Sequence, residues 1–406
     1  MATAVAVLPG LATGCASPGS GIQEGEHVTV YVSMPLRGSE AGDGRDVVDG
    51  AKLALSDARG RAGKLAVRAL YLDDTATEGR RVRWSAAAAA ANARQATEDS
   101  TAIAFVGDFD SGASRFSLPV TNEARMLQVS PASAAVDLAQ PFLGAGDQLP
   151  EDVQPTGERT FGRVIPSDEA QAAAGAVWAK RLGVEQATVA SDGSGFGRVM
   201  RSAFDDQARA VGIRIAGGSH AELFGRLPSS RGGPRGSCPA SLRAIPFLYS
   251  AGTTAPAALV GPCAATVRPR QGLMAPDALL RPETLAALGS VSYRALLTSA
   301  AQDPSQLPAA GQRFAQAFRG RYGRRPGRYA AYGYEAMAVV LDSILRAGDG
   351  GDNRHSVVDA FFGTRDRRSV VGTYSIDEVG NTTLDRLTGY RLERGGATPI
   401  ARLRTP

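Results

Sequence analysis

Lysine is almost missing from this chain: it occurs only at Lys52, Lys64 and Lys180, so the basic residues are nearly all arginine. They outnumber the acids by enough to give a formal charge of +5, yet no basic stripe interleaved with aromatics is present. That excludes the usual footprint of a nucleic-acid partner. The pairs Arg80/Arg81, Arg324/Arg325 and Arg367/Arg368 read as solvated faces. Histidine is as scarce: His27, His220 and His355 stand alone, without metal-ligand neighbours at helical spacing. There is no H-E-x-x-H, no G-x-S-x-G nucleophile elbow and no Walker A sequence. The chain therefore reads as a non-enzyme with no metal or cofactor. Beyond residues 2 to 14, no apolar run approaches the roughly 18 residues of a membrane span.

What is present fits a soluble globular protein with room for two domains: 406 residues, 43% hydrophobic and 21% charged. Residues 2 to 14 are apolar and small, the length of a signal-peptide core. They end in Leu11-Ala12-Thr13-Gly14-Cys15, which resembles a bacterial lipobox, where the cysteine is lipidated and becomes the mature N-terminus. A Ser/Pro/Gly-rich tether follows, so 1–14 is expected as signal peptide and 15–26 as anchor and tether. The positive segment that normally precedes such a core is missing, which points to a start internal to a longer reading frame. The alternative is a buried N-terminal strand, against which Pro9 and two glycines count. With Cys15 assigned to lipid, Cys238 and Cys263 remain, both next to proline. In an oxidising compartment a disulfide is the default expectation; two separate buried thiols are the alternative.

From Val28 onward, short apolar runs alternate with longer amphipathic stretches. Strands are expected at Val28–Val32, Leu65–Leu72, Ala102–Val106 and Met126–Val129. Helices are expected at Val47–Ala58, Glu78–Glu98 and Gly112–Ala124. After a Pro/Gly-rich loop the rhythm restarts at Phe161–Ile165 and runs through a second set. This pattern predicts two doubly wound α/β lobes, each a parallel sheet in three αβα layers. Such sheets take ligands beyond the carboxyl ends of their strands.

The segments just after each strand are therefore the ones to read for chemistry. Gly107-Asp108-Phe109-Asp110-Ser111-Gly112 leads into a helix, whose free N–H groups and Ser111 hydroxyl suit a ligand carboxylate. The alternative is that Asp110 or Ser111 only caps the helix. Ser130-Pro131-Ala132-Ser133-Ala134 is a second small-residue turn, and Ala275-Pro276-Asp277 offers a carboxylate for a ligand ammonium. Gly193-Ser194-Gly195-Phe196-Gly197 lacks dinucleotide spacing and reads as a tight turn. Asp73 and Asp74 are a candidate acid pair, but consecutive strand residues face opposite ways, which favours one strand-end carboxylate and one turn or cap residue.

Several segments in order resemble one family, the type I periplasmic solute-binding proteins of the leucine/isoleucine/valine-binding group, which feed ABC importers. They are Met34-Pro35-Leu36-Arg37-Gly38, Asp49-Gly50-Ala51, Leu72-Asp73-Asp74-Thr75, Gln128-Val129-Ser130-Pro131-Ala132, Phe161-Gly162-Arg163-Val164-Ile165, and Tyr329-Ala330-Ala331-Tyr332-Gly333-Tyr334-Glu335. The resemblance implies three crossings between lobes, giving a first lobe of 27–167 plus 301–386 and a second of 168–300 plus 387–406. It implies an amino-acid carboxylate held by Ser111, Gly112, Ala132 and Ser133, and an ammonium met by Asp277. Phe196 and Thr253 would close the second-lobe side. Phe196 and Ala134 depart from the tyrosine and threonine frequent in the family, so the headgroup is better specified than the ligand's side chain. The implied partners are a small amino-acid-like molecule and an ABC permease. The implied setting is extracytoplasmic, as a lipid-anchored monomer. The same fold can also serve a ligand sensor, and an enzyme on it would need an acid, base or metal set that the sequence does not display.

Overall fold

The first strand, β1 (His27–Met34), is buried from Val28 to Met34 because both its faces are covered. Val28, Val30, Val32 and Met34 pack into one hydrophobic cluster and Tyr31 into another. Burial on both faces is what a parallel sheet between helices requires. In the computed structural model, which describes residues 27–142, 149–216, 247–252, 272–280, 295–393 and 396–406, β1 is central to a six-stranded sheet.

The chain runs through α1 (Ala41–Asp57), β2 (Arg61–Ala62), β3 (Leu65–Asp73), β4 (Thr75–Glu78), β5 (Arg81–Trp84), α2 (Ala86–Glu98), β6 (Ala102–Val106), α3 (Ser111–Glu123), β7 (Leu127–Ser130), α4 (Pro150–Val153) and β8 (Phe161–Arg163). The sheet order is β2-β3-β1-β6-β7-β8, parallel except for β2. A second sheet follows, with α5 (Asp168–Arg181), β9 (Gln186–Ser191), α6 (Gly195–Ala210), β10 (Arg214–Ala216), β11 (Phe247–Ala251), β12 (Gly272–Pro276) and β13 (Ala295–Ser299). The chain then returns to cover the first sheet with α7 (Ala309–Tyr322), α8 (Ala330–Arg346) and α9 (Arg354–Phe362). After the small pair β14 (Arg367–Arg368) and β15 (Thr373–Tyr374), it ends in β16 (Arg386–Glu393) and β17 (Gly396–Arg404). The second sheet is ordered β10-β9-β11-β12-β13-β16-β17. Its first five members are parallel, but β16 and β17 add an antiparallel edge to a sheet expected to be parallel throughout. Strands joined by a connection too short for a crossover, as β16 and β17 are, can pair only antiparallel.

Helices α1, α8 and α9 cover one face of the first sheet, and α2 and α3 the other. The α1–α8 crossing is close because it is made of glycines. A Cβ on Gly50 would stand 2.0 Å from the Ala330 carbonyl oxygen, and one on Gly333 would stand 2.2 Å from that of Val47. In the second lobe, α5 and α6 pack on the sheet, and Phe204 stacks on Tyr249 with ring centroids 3.8 Å apart.

Two sequence expectations shift. The helix expected from Glu78 begins only at Ala86, because residues 75–84 form a β-hairpin around Gly79, whose φ is 62°. Threonine, valine and tryptophan favour strands there, and glycine supplies the turn. Helix α1 begins at Ala41, six residues before Val47; its early glycine Gly44 is there because a Cβ would meet the Pro35 carbonyl at 2.0 Å. Strands β13 and β17 and helix α9 went unread in the sequence. Two of the arginines read as solvated are instead ion-pair members. Arg324 pairs with Asp46 and Asp49, and Arg367 reaches the buried Glu335 at 2.7 Å, where the Tyr374 hydroxyl also donates. Buried acids gather such partners because an unpaired one is costly.

Candidate functional site

Strand order reverses around β1 in the first sheet and around β9 in the second, and such switch points open a crevice at the carboxyl ends of the strands. A cavity of about 410 Å³ lies there, between the two sheets. Its first-lobe wall comes from the segments after β1, β6 and β7 and from Trp84 at the end of the hairpin. Its second-lobe wall comes from the N-termini of α5 and α6 and the segment after β12.

Of the residues expected in the site, Ser111, Gly112, Ala132, Phe196 and Asp277 all line this cavity. Ser111 is the first residue of α3, capped by Asp110, whose carboxylate accepts from the Gly112 N–H at 2.7 Å. The Ser111 hydroxyl accepts from the Ala135 N–H at 3.1 Å, which ties the helix to the turn after β7 and leaves its own O–H to donate. Gly112 has no room for a side chain: a Cβ would meet the Trp84 ring at 2.4 Å. Phe196 stands in the first turn of α6, capped by Ser194, with Gly193 at φ 76° ahead of it.

Ser133 is a correction. It is fully buried and does not line the cavity. Its N–H donates to the Ser130 hydroxyl at 2.8 Å, and its own hydroxyl donates to the Asp108 carbonyl at 3.0 Å while bonding Ser114 at 2.8 Å. The Ala132 N–H also goes to Ser130, at 3.1 Å. Both amides expected to face a ligand are thus spent inside the turn. Thr253, and the cysteines Cys15, Cys238 and Cys263, lie outside the described residues.

Asp277 is held in place by donors. Gln171 Nε2 reaches its Oδ1 at 3.1 Å, and the Ser299 hydroxyl its Oδ2 at 2.7 Å. Arg328, which the sequence reading missed, extends between Asp43 and Asp277, with nitrogen–oxygen separations of 3.6 and 3.8 Å. Its guanidinium also lies over the Tyr329 ring, 4.9 Å from the centroid. The neighbouring negative charges hold the Arg328 pKa above its usual value despite burial.

Other missed lining residues include Trp84, Glu40, Asp168 and the Arg115–Asp137 pair, joined at 2.7 Å. Glu40 and Asp168 follow strands β1 and β8, so the strand-end rule could have found them. Asp168 is 8% exposed, and burial pushes its pKa up to about 7 against the pull of Arg163. Behind the first-lobe wall lie Asp74 and Asp108, both fully buried. Burial, then the charge of Asp108, raises Asp74 to about 9. Burial also raises Asp108, opposed by hydrogen bonds from Ser117 and Ser33.

Among the described residues there is no group of three or more His, Cys, Asp or Glu that could hold a metal ion. The geometry provides opposed walls with donors, carboxylates and aromatic rings, a binding arrangement.

No protein-family model matches the chain, and no curated protein matches it in sequence. Solved structures do match its fold. A leucine-binding protein from Thermotoga maritima is 22% identical, with 93% of this chain and 99% of that chain covered and a TM-score of 0.70. A branched-chain amino acid transporter substrate-binding protein from Streptococcus pneumoniae, in complex with isoleucine, is 16% identical, covering 94% and 100%, at 0.69. An ABC-transporter solute-binding protein from Rhodopseudomonas palustris, in complex with 3,4-dihydroxybenzoic acid, is 15% identical, covering 93% and 98%, at 0.66. Identities this low establish the fold, and the chain has the two-lobed α/β fold of the type I periplasmic solute-binding proteins.

Proposed function

We propose that the chain is the extracytoplasmic solute-binding component of an ABC importer, taking up an amino acid or a related small molecule. The observation that carries this reading is the cavity of about 410 Å³, lined from both lobes at the carboxyl ends of their strands. The proposed moving units are 27–167 with 301–386 and 168–300 with 387–406, closing by a hinge motion around the ligand. Ser111 and the N-terminus of α3 would receive the ligand carboxylate, and Asp277 its ammonium. Phe196 and Thr253 would close the far side. A permease would read the closed form, and Cys15 would anchor a monomer to the membrane by lipid. Among the described residues no helix is long and apolar enough to cross a membrane.

Similar structures hold isoleucine in one case and 3,4-dihydroxybenzoic acid in another, so the test needs both chemistries. Melting curves are to be recorded with a panel of amino acids, small amides and aromatic carboxylic acids. A true ligand at a hundredfold excess over its dissociation constant stabilises the protein by about 2.7 kcal/mol. A flat response across the whole panel overturns the proposal.

A further inference from the structure

We infer that Trp84 is the specificity-determining residue of the cleft, and that the ligand it selects carries an aromatic ring close to its carboxylate. The inference rests on the cleft's being the ligand site and deepens that reading.

The position of the indole comes first. Trp84 ends the hairpin of β4 and β5, directly opposite Thr75. The hairpin is fixed at its base. The Asp73 carboxylate accepts from the Thr75 N–H at 3.1 Å and from its hydroxyl at 2.8 Å, and Arg37 Nη2 donates to the Thr75 carbonyl at 2.8 Å. The N–H of Ser85, next along the chain from Trp84, donates to the Asp74 carbonyl at 2.8 Å. The hairpin also lies flush on the segment after β1, where a Cβ on Gly38 would stand 2.0 Å from the Val82 carbonyl oxygen. With its backbone held on both sides, Trp84 has only its two side-chain torsions to set, so the ring is placed before a ligand arrives. The Cζ2 and Cη2 edge of the indole rests on Gly112, where a Cβ would meet those atoms at 2.4 and 2.7 Å. Gly112 is in the first turn of α3, where the ligand carboxylate is proposed to bind. The part of the ligand next to that carboxylate therefore meets the indole.

The independent observation is which rings are already paired. Phe109, Phe196 and Tyr329 line the same cavity as Trp84. Phe109 and Tyr329 pack edge to face on each other, with ring centroids 4.8 Å apart and planes at 75°. Among the described residues, neither Trp84 nor Phe196 makes a contact with another aromatic ring or a cation. They belong to opposite walls, Trp84 to the hairpin and Phe196 to the first turn of α6. Each lobe thus presents one aromatic group to the space a ligand would fill. A ligand ring gains from offset or edge-to-face pairing with such groups beyond what area burial provides. A branched aliphatic side chain gains the burial alone.

The experiment ranks L-phenylalanine, L-tryptophan, phenylacetate, benzoate, L-leucine and L-isoleucine by melting shift and isothermal titration. The expected result is at least one ring-bearing compound bound about tenfold or more tighter than L-leucine. The two aromatic amino acids against the two aromatic acids show whether the ammonium is needed. Trp84→Leu, checked for an unchanged melting temperature without ligand, should weaken that compound at least tenfold and bring it within about threefold of L-leucine. Trp84→Tyr, which keeps a ring, should restore part of the preference. Wild-type protein that binds L-leucine or L-isoleucine as tightly as every ring-bearing compound overturns this inference and leaves the solute-binding reading standing. Binding of only a non-aromatic compound from the wider panel does the same. So does a Trp84→Leu variant that weakens ring-bearing and aliphatic ligands equally, which would make the indole a structural prop. The wild-type ranking needs no variant, so a folding defect in Trp84→Leu does not shield the inference. Failure of every compound here and in the wider panel overturns both.

Discussion

Arg328 and Asp277 face each other across the cleft, Nη1 to Oδ2 at 3.8 Å, one from the segment before α8 and the other from the end of β12. The partner that a ligand ammonium would seek is thus already in the field of a guanidinium. A zwitterion reaching Asp277 competes with Arg328 and must bring better geometry than that long contact. Asp277→Ala should therefore cost about 3 kcal/mol, roughly a hundredfold in affinity, for any zwitterionic ligand. Isothermal titration is the measurement, and unchanged affinity removes Asp277 from the site.

Only two tryptophans occur in the chain, and they sit in different surroundings. Trp84 lines the cavity against Gly112, whereas Trp178 is 5% exposed on α5 beside Gly389. Ligand binding should change the emission of Trp84 alone. Trp84→Phe should abolish the fluorescence response to ligand while Trp178→Phe keeps it; the opposite pattern would place the ligand elsewhere.

Asp74 should make the protein less stable as pH rises. The folded chain keeps its proton to about pH 9, whereas an ordinary carboxyl releases it near 3.8. Between those values the folded state binds more protons than the unfolded, so the unfolding free energy falls with increasing pH. Asp108, raised by burial, adds a slope of the same sign over the lower part of that window. Asp74→Asn should gain about 1–3 kcal/mol at pH 8 and close to nothing at pH 4. Urea titrations at the two pH values decide it, and parallel wild-type and variant profiles would count against the buried proton.

The glycine crossing of α1 and α8 should tolerate no methyl group. Gly50→Ala or Gly333→Ala places a Cβ about as close to a carbonyl as a covalent neighbour and should cost about 3 kcal/mol or more. Gly42→Ala in the same α1 helix is the control, since nothing lies within 4 Å of its would-be Cβ. There the better helix propensity of alanine should add about 1 kcal/mol. Equal effects at Gly50 and Gly42 would contradict the close approach.

Much of the fold was legible because β6 is apolar over its whole length and β1 and β7 carry short apolar runs, as strands of a sheet covered on both faces do. The hairpin at 75–84 was hidden by the alanine run of α2, whose helix propensity spread backward past Gly79. Looking just after each strand led to Ser111, Gly112, Ala132, Phe196 and Asp277, all of which line the cavity. Ser133 failed because neighbouring turn residues point opposite ways, and Ser130 drew its amide inward. Arg328 escaped because no strand precedes it; the packing of α8 against α1 brings it to Asp43, a relation that local pattern does not encode.

That packing has a consequence for the order of events in synthesis. The face of the first sheet that holds Val28, Val30 and Val32 is closed by α8 and α9, about 300 residues further along the chain. Until Ala330–Phe362 has emerged, that face is covered by α1 alone, and the first half of the protein cannot complete its own core. A chain cut before Ala330 should accordingly be open to proteases throughout its N-terminal half, while the full chain resists them. The protein begins its first lobe with its first strand and can finish it only near its end.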